Sequence, residues 1–135
     1  MVNYLLDTTI IIDYLRGKQK IVKLLKKIFS EGSLLSCCSI NIIEVYAGMK
    51  EKEEEITKEF LNNLEYYYLT KDIAEKTGRY KGNYQKKGVT LSLPDAAIVT
   101  IAIHNNLTLL TDNVKQYPMP ELKLRLPEAL SKFDG

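Results

Sequence analysis

The sequence predicts an α/β domain, a three-layer α/β/α arrangement with a central parallel sheet of four to five strands. Three observations carry that expectation. Short, nearly continuous apolar runs recur at residues 2–6, 33–39 and 107–110, the pattern of strands covered on both faces. Between them lie stretches with the i, i+3, i+4, i+7 apolar spacing of amphipathic helices. Parallel neighbours need helical crossovers, so this alternation makes a sheet with helices on both faces the economical architecture.

Taken in order, residues 2–6 stop abruptly at Asp7, with Thr8 and Thr9 placed to cap a helix over 10–16 that Gly17 ends. Residues 20–29 place Ile21, Leu24, Leu25, Ile28 and Phe29 on one helical stripe. The second strand, 33–39, leads into a helix over 41–49, and 50–64 continues helical with Glu51, Glu53, Glu54 and Glu55 on a solvated face. A third short strand spans 66–69, and Thr70 is the expected N-cap of a helix carrying Ile73, Ala74, Thr77, Tyr80 and Tyr84 and ending near Gly88. The helix starting at Pro94 is apolar nearly all round and belongs deep in the domain. The fourth strand, 107–110, closes on Thr111, Asp112 and Asn113; a shorter strand at 122–124 precedes a helical piece beginning at Pro127.

At 135 residues and 45% apolar composition, one core is expected, a single domain over 1–135 that needs no metal or disulfide to fold. The 19 basic and 17 acidic residues leave a net charge of +2, which excludes disordered acidic chains and strongly basic histone-like binders. Adjacent Cys37 and Cys38 build neither a disulfide framework nor a zinc ribbon and are expected in the core. His104 is the single histidine, so zinc chemistry needing two is excluded, and any catalysis must rest on carboxylates. Dinucleotide, P-loop and serine-hydrolase motifs are absent. With no signal-peptide pattern and no apolar run long enough to span a bilayer, the expected location is the cytoplasm, with no membrane association.

The acids carry the functional information. Asp7 and the pair Asp112-Asn113 lie at the carboxyl ends of the first and fourth strands; Glu44 lies early in the helix after the second. Asp95 opens a helix that must run back to the start of a parallel strand, and so begins at that same edge, where open α/β sheets bind ligands. Singly, each has a structural explanation: Asn41-x-x-Glu44 and Ser92-x-x-Asp95 fit capping boxes, Asp7 fits an N-cap, and Asp112-Asn113 fits an Asx turn. Together they are costly, since carboxylates about 4 Å apart repel by roughly 4 kcal/mol at an effective dielectric near 20. A divalent cation resolves the conflict, and all-oxygen ligands select a hard one, Mg²⁺ or Mn²⁺.

These blocks resemble the PIN-domain ribonucleases, and within them the VapC toxins of prokaryotic toxin–antitoxin pairs. The resemblance rests on Leu5-Leu6-Asp7-Thr8-Thr9, Asp13-Tyr14-Leu15-Arg16-Gly17, Ile43-Glu44-Val45-Tyr46-Ala47-Gly48, Leu93-Pro94-Asp95-Ala96-Ala97-Ile98 and Leu109-Leu110-Thr111-Asp112-Asn113. It implies a PIN-like fold in which Asp7, Glu44 and Asp95 hold Mg²⁺ while Thr9, Thr111 and Asn113 complete the site, with Asp112 the adjoining acid. It also implies hydrolysis of RNA by metal-activated water, a homodimer, and neutralisation by a small VapB-like antitoxin. Two departures stand out. Asn113 occupies a position often held by a fourth aspartate, which argues against a full second metal site, and Gln116-Tyr117 replaces an acid and a phenylalanine, read as a conservative change of packing with one charge lost.

Other features have plain readings. Asp13 and Arg16 form a surface pair one helical turn apart, and His104 is a surface residue favoured by the helix dipole. Tyrosines 66, 67, 68, 80 and 84 pack rather than stack on bases. Arg16, Lys18, Lys20, Arg79, Lys81, Lys86 and Lys87 are candidates for a phosphate-tracking rim, and the apolar faces of 21–29 and 42–49 for partner contact beyond their core use. Two other classes remain open: a catalytically degenerate PIN or receiver-like domain that binds a partner or RNA, and a haloacid-dehalogenase-type phosphatase. The receiver reading lacks a strand-end lysine, and the phosphatase reading lacks a second aspartate, since Thr9 stands two positions after Asp7.

Overall fold

The computed structural model describes residues 2–127. Five strands, β1 (Asn3–Leu6), β2 (Leu34–Cys38), β3 (Glu65–Tyr67), β4 (Thr108–Leu110) and β5 (Lys123–Arg125), form one sheet in the order β3-β2-β1-β4-β5. Every neighbouring pair is parallel, with Leu5 opposite Ser36 on one side and Leu109 on the other. The helices are α1 (Thr8–Leu15), α2 (Gln19–Ser30), α3 (Ser39–Gly48), α4 (Glu54–Asn62), α5 (Lys71–Lys86) and α6 (Leu93–His104).

Strand alternation splits the core into two layers. Leu5, Cys38 and Leu109 point to one face, where they meet α5, α6, Tyr117, Met119 and Leu122. Tyr4, Leu6, Cys37 and Leu110 point to the other and pack on α1, α2, Val45 of α3 and Leu61 of α4. The three-layer arrangement read from the sequence is the one observed. Residues 96–102 of α6 are all buried, as expected of a helix apolar all round. On α2 only Ile21, Leu24, Leu25 and Ile28 are buried; Phe29, assigned to the same stripe, is 68% exposed. The two cysteines are buried on opposite faces, and burial pushes the Cys37 thiol up to about 12 and raises Cys38 as well, so neither supplies a thiolate.

Several local expectations need correction. Asn41 is not the N-cap of α3: the helix begins earlier, Cys38 is the N-cap, and Asn41 sits at the third helical position, its Oδ1 accepting the Cys38 N–H at 2.8 Å. Helix does not run unbroken from 41 to 64. Gly48 ends α3, Met49 is extended, and a 3₁₀ turn over Glu51–Glu53 starts a new segment in which Glu53 Oε1 accepts the Lys50 N–H at 2.7 Å. That side chain gives the Lys50 N–H a partner outside the α3 ladder. The glutamates of this run are exposed, as expected of a solvated face. Asp13 pairs with Lys18 at 3.6 Å, across the turn at Gly17, instead of with Arg16. Thr70 caps α5 as anticipated, its Oγ1 accepting from the Ile73 N–H at 3.2 Å. The helical piece read from Pro127 onward lies, past Pro127 itself, outside the described residues.

Ser36, in the centre of β2, is fully buried, and its hydroxyl has no hydrogen-bond partner. A desolvated, unpaired hydroxyl is destabilising, and alanine fits the same space. Ser36→Ala is expected to stabilise the protein by about 1 kcal/mol, seen as a higher urea midpoint at unchanged slope. A lower midpoint would contradict this account of the strand.

Candidate active site

The sheet order places a switch point between β1 and β4, since successive strands are added outward to one side of β1 and then to the other. The crevice at the carboxyl ends of these two strands is where the acids gather. Asp7 directly follows β1, its N–H donating to the Leu110 carbonyl of β4 at 3.0 Å. Its side chain caps α1, Oδ1 accepting from the Thr8 N–H at 2.9 Å. Thr111, following β4 and wholly buried, donates from Oγ1 to Asp7 Oδ2 at 2.6 Å and accepts the Asn113 N–H at 3.0 Å.

Glu44 enters from α3, half-buried. Its Oε1 accepts from Thr8 Oγ1 at 2.7 Å, and that hydroxyl in turn accepts from Asn41 Nδ2 at 2.9 Å. Asn41 is completely buried and holds both the start of α3 and the threonine that orients Glu44. Asp95 enters from the first turn of α6, where Ser92 Oγ accepts its N–H at 3.2 Å. One carboxylate oxygen of Asp95, Oδ1, accepts from the Tyr117 hydroxyl at 3.2 Å.

The electrostatics follow from this packing. Asp7 is 5% exposed, and burial raises its pKa above the ordinary carboxylate value, opposed by the hydrogen bonds from Thr111 and Thr8. The charges of Asp95 and Glu44 raise it further, so the three acids feel one another. Among the described residues no lysine or arginine is paired with any of them. Tyr117 is raised as well, by burial first and then by the negative charge of Asp7 and Asp95, so it stays a protonated donor.

Among the described residues no three His, Cys, Asp or Glu side chains stand close enough together to hold an ion as they are placed. Each of the three carboxylates is turned toward a protein hydroxyl instead, those of Thr111, Thr8 and Tyr117. The donor chemistry nevertheless fits a hard divalent cation: all oxygen, mutually repelling, and without a basic counter-ion among the described residues.

The remaining candidates are distributed less evenly. Thr9 is exposed on α1, and the engaged hydroxyl is that of its neighbour Thr8. Asp112 is exposed, while Asn113 is half-buried beside Thr111. Sequence reasoning missed Thr8, Asn41 and Tyr117. The signal for Tyr117 was present, since a phenol in place of a phenylalanine adds a hydroxyl that burial obliges to find a partner. Of the basic candidates, Lys18 pairs with Asp13, Lys81 donates to the Leu91 carbonyl, and Lys87 stands 4.9 Å over the Tyr84 ring.

A parallel α/β/α sheet with acids collected at its switch point is the arrangement of a PIN domain. The chain matches that family over residues 4–121 and belongs to it. It is 32% identical over 120 residues to Ribonuclease VapC19 of Mycobacterium tuberculosis, covering 88% of this chain and 96% of the relative. Among solved structures, VapBC2 from Rickettsia felis, bound to a DNA fragment from its promoter, has a TM-score of 0.81 at 24% identity, over 93% of this chain and 98% of the other. A toxin–antitoxin complex from Klebsiella pneumoniae has a TM-score of 0.71 at 28% identity, over 92% and 97%.

Proposed function

We propose that this protein is a Mg²⁺-dependent endoribonuclease acting as the VapC-like toxin of a toxin–antitoxin pair. The carrying observation is the group of three acids from three chain segments, mutually repelling and without a basic partner among the described residues, at the switch point of a PIN sheet. Similarity to a named VapC ribonuclease supports RNA as the substrate.

In this reading Asp7, Glu44 and Asp95 bind the ion. Bound there, Mg²⁺ or Mn²⁺ supplies Lewis acidity toward the phosphate and lowers the pKa of water. The protein's own work is positional. Thr111 and the Thr8 N–H hold Asp7, Thr8 backed by Asn41 holds Glu44, and the Ser92 cap fixes the backbone that carries Asp95. Thr9 and Asn113 complete the site on the substrate side, with exposed Asp112 at its margin. One metal is expected, because Asn113 carries no charge.

The partner inferred from the similar complexes is a VapB-like antitoxin, and a homodimer is the expected assembly, with the exposed Phe29 and Ile43 side chains available for such contacts. No helix among the described residues is long and apolar enough to cross a membrane, and the cytoplasm is the proposed location.

The test is cleavage of transfer, ribosomal and messenger RNAs by purified protein with Mg²⁺, Mn²⁺ or chelator. Cleavage is expected with either metal and lost with chelator, and lost again in Asp95→Asn. Metal-independent cleavage, or wild-type activity in that variant, would overturn the mechanism.

A further inference from the structure

We infer that Tyr117 is a positioning residue for the ion site: its hydroxyl, donating to Asp95 Oδ1, holds that carboxylate in one orientation and thereby sets the affinity for the divalent cation. The inference rests on the metal-dependent reading above.

Three features support it. First, the ring is buried. Tyr117 is 2% exposed, belongs to the buried cluster that also holds Ile98, Leu107, Met119 and Leu122, and follows the 3₁₀ turn Val114–Gln116 with its N–H on the Val114 carbonyl at 3.0 Å. With only two side-chain torsions, both fixed by packing, the hydroxyl is delivered to one place. Second, the other end is equally fixed. Asp95 stands on the first turn of α6, whose residues 96–102 are buried, and its N–H is held by Ser92 at 3.2 Å. The backbone that carries Asp95 is thus set, and the phenol restrains the orientation of its carboxylate. A ligand ordered beforehand loses less freedom when the ion arrives.

Third, packing alone does not call for the oxygen. A phenylalanine ring would fill the same space, so the hydroxyl is an addition whose burial is tolerable only because Asp95 accepts from it. The choice of donor matters too. A lysine or arginine at this point would neutralise the carboxylate and compete with the ion, whereas a neutral phenol orients it and leaves its charge in place.

The experiment measures Mn²⁺ binding to the purified full-length protein from the electron paramagnetic resonance signal of free Mn²⁺, for wild type, Tyr117→Phe, Asp95→Ala and the double variant. Tyr117→Phe is expected to stay folded in metal-free buffer and to bind Mn²⁺ about 10-fold more weakly, in the range usual for loss of a residue that supports a metal ligand. Its RNA cleavage should require correspondingly more Mn²⁺ and return to the wild-type kcat at saturation. In the Asp95→Ala background the same change should have no further effect on binding. Wild-type affinity in Tyr117→Phe overturns the inference, as does an equal loss in both backgrounds. A Tyr117→Phe protein that fails to fold assigns the hydroxyl to the fold and also overturns it. Absence of Mn²⁺ binding by the wild type would instead overturn the metal-dependent reading, and this inference with it.

Discussion

Asp7→Asn is expected to lower RNA cleavage by about 10³-fold while making the metal-free protein more stable at neutral pH. The first effect follows from removing the most buried charge of the site, since a bound ion contributes several kcal/mol to the transition state and each 1.4 kcal/mol is tenfold in rate. The second follows from the raised pKa of Asp7. A carboxyl whose folded pKa lies above its unfolded value of about 3.9 contributes most to stability when protonated in both states. That contribution is full below the unfolded pKa and is lost as pH rises through the folded one, because across that window the folded state binds more protons. At neutral pH the wild type therefore carries the cost of an ionised, buried Asp7 among other acids. Asparagine has nearly the same shape, keeps an oxygen for the Thr8 N–H, carries no charge, and keeps contact with Thr111 by donating its amide to Thr111 Oγ1 in place of the hydrogen bond Asp7 accepted. Melting with and without Mn²⁺ checks this: at 100 times Kd the ion should stabilise the wild type by about 2.7 kcal/mol and leave the variant almost unchanged. Equal stabilisation of both would remove Asp7 from the site.

Thr111→Val is expected to have the next largest effect. The change keeps the shape and deletes the 2.6 Å donor to Asp7 Oδ2 and the acceptor for the Asn113 N–H. Hydrogen bonds to charged groups contribute about 1.5–3 kcal/mol, so the free energy of unfolding should fall by that order at neutral pH, read as a lower urea midpoint at unchanged slope. Because this hydrogen bond lowers the pKa of Asp7, its loss should raise that pKa further and move the acidic limb of the kcat/KM profile to higher pH. Activity at the optimum should drop about 10–100-fold. An unmoved limb with unchanged stability would show that Thr111 does not support Asp7.

The acids were legible in the sequence for a physical reason. Asp7 ends an apolar run, Asp95 follows Ser92-Leu93-Pro94, and the direction of a parallel strand's return helix puts both at one edge. The fold was legible on the same grounds, because strands buried on both faces and helices apolar on one stripe leave different one-dimensional patterns. What sequence reading lacked was side-chain direction across elements. Nothing in Asp7-Thr8-Thr9 says which threonine turns inward; α1 begins at Thr8, Thr8 is buried, and its hydroxyl reaches Glu44 while Thr9 is exposed. Asn41 misled because its spacing to Glu44 imitates a capping box, whereas the helix had started two residues earlier. Tyr117 was read through ring packing, a local property, and its partner lies 22 residues away.

The hydrogen bond between Thr111 and Asp7 joins residues 104 positions apart. Its consequence concerns timing during synthesis. A chain made from its N-terminus has β1, Asp7, Glu44 and Asp95 in hand well before β4 exists, and until β4 docks beside β1 nothing holds Asp7 Oδ2 or closes the crevice. Any fragment ending before Thr111 is therefore an incomplete site, whatever helices it has formed. An enzyme that cuts RNA would thus be harmless while the segments up to β4 are still being translated, and would become competent only once β4 has docked beside β1.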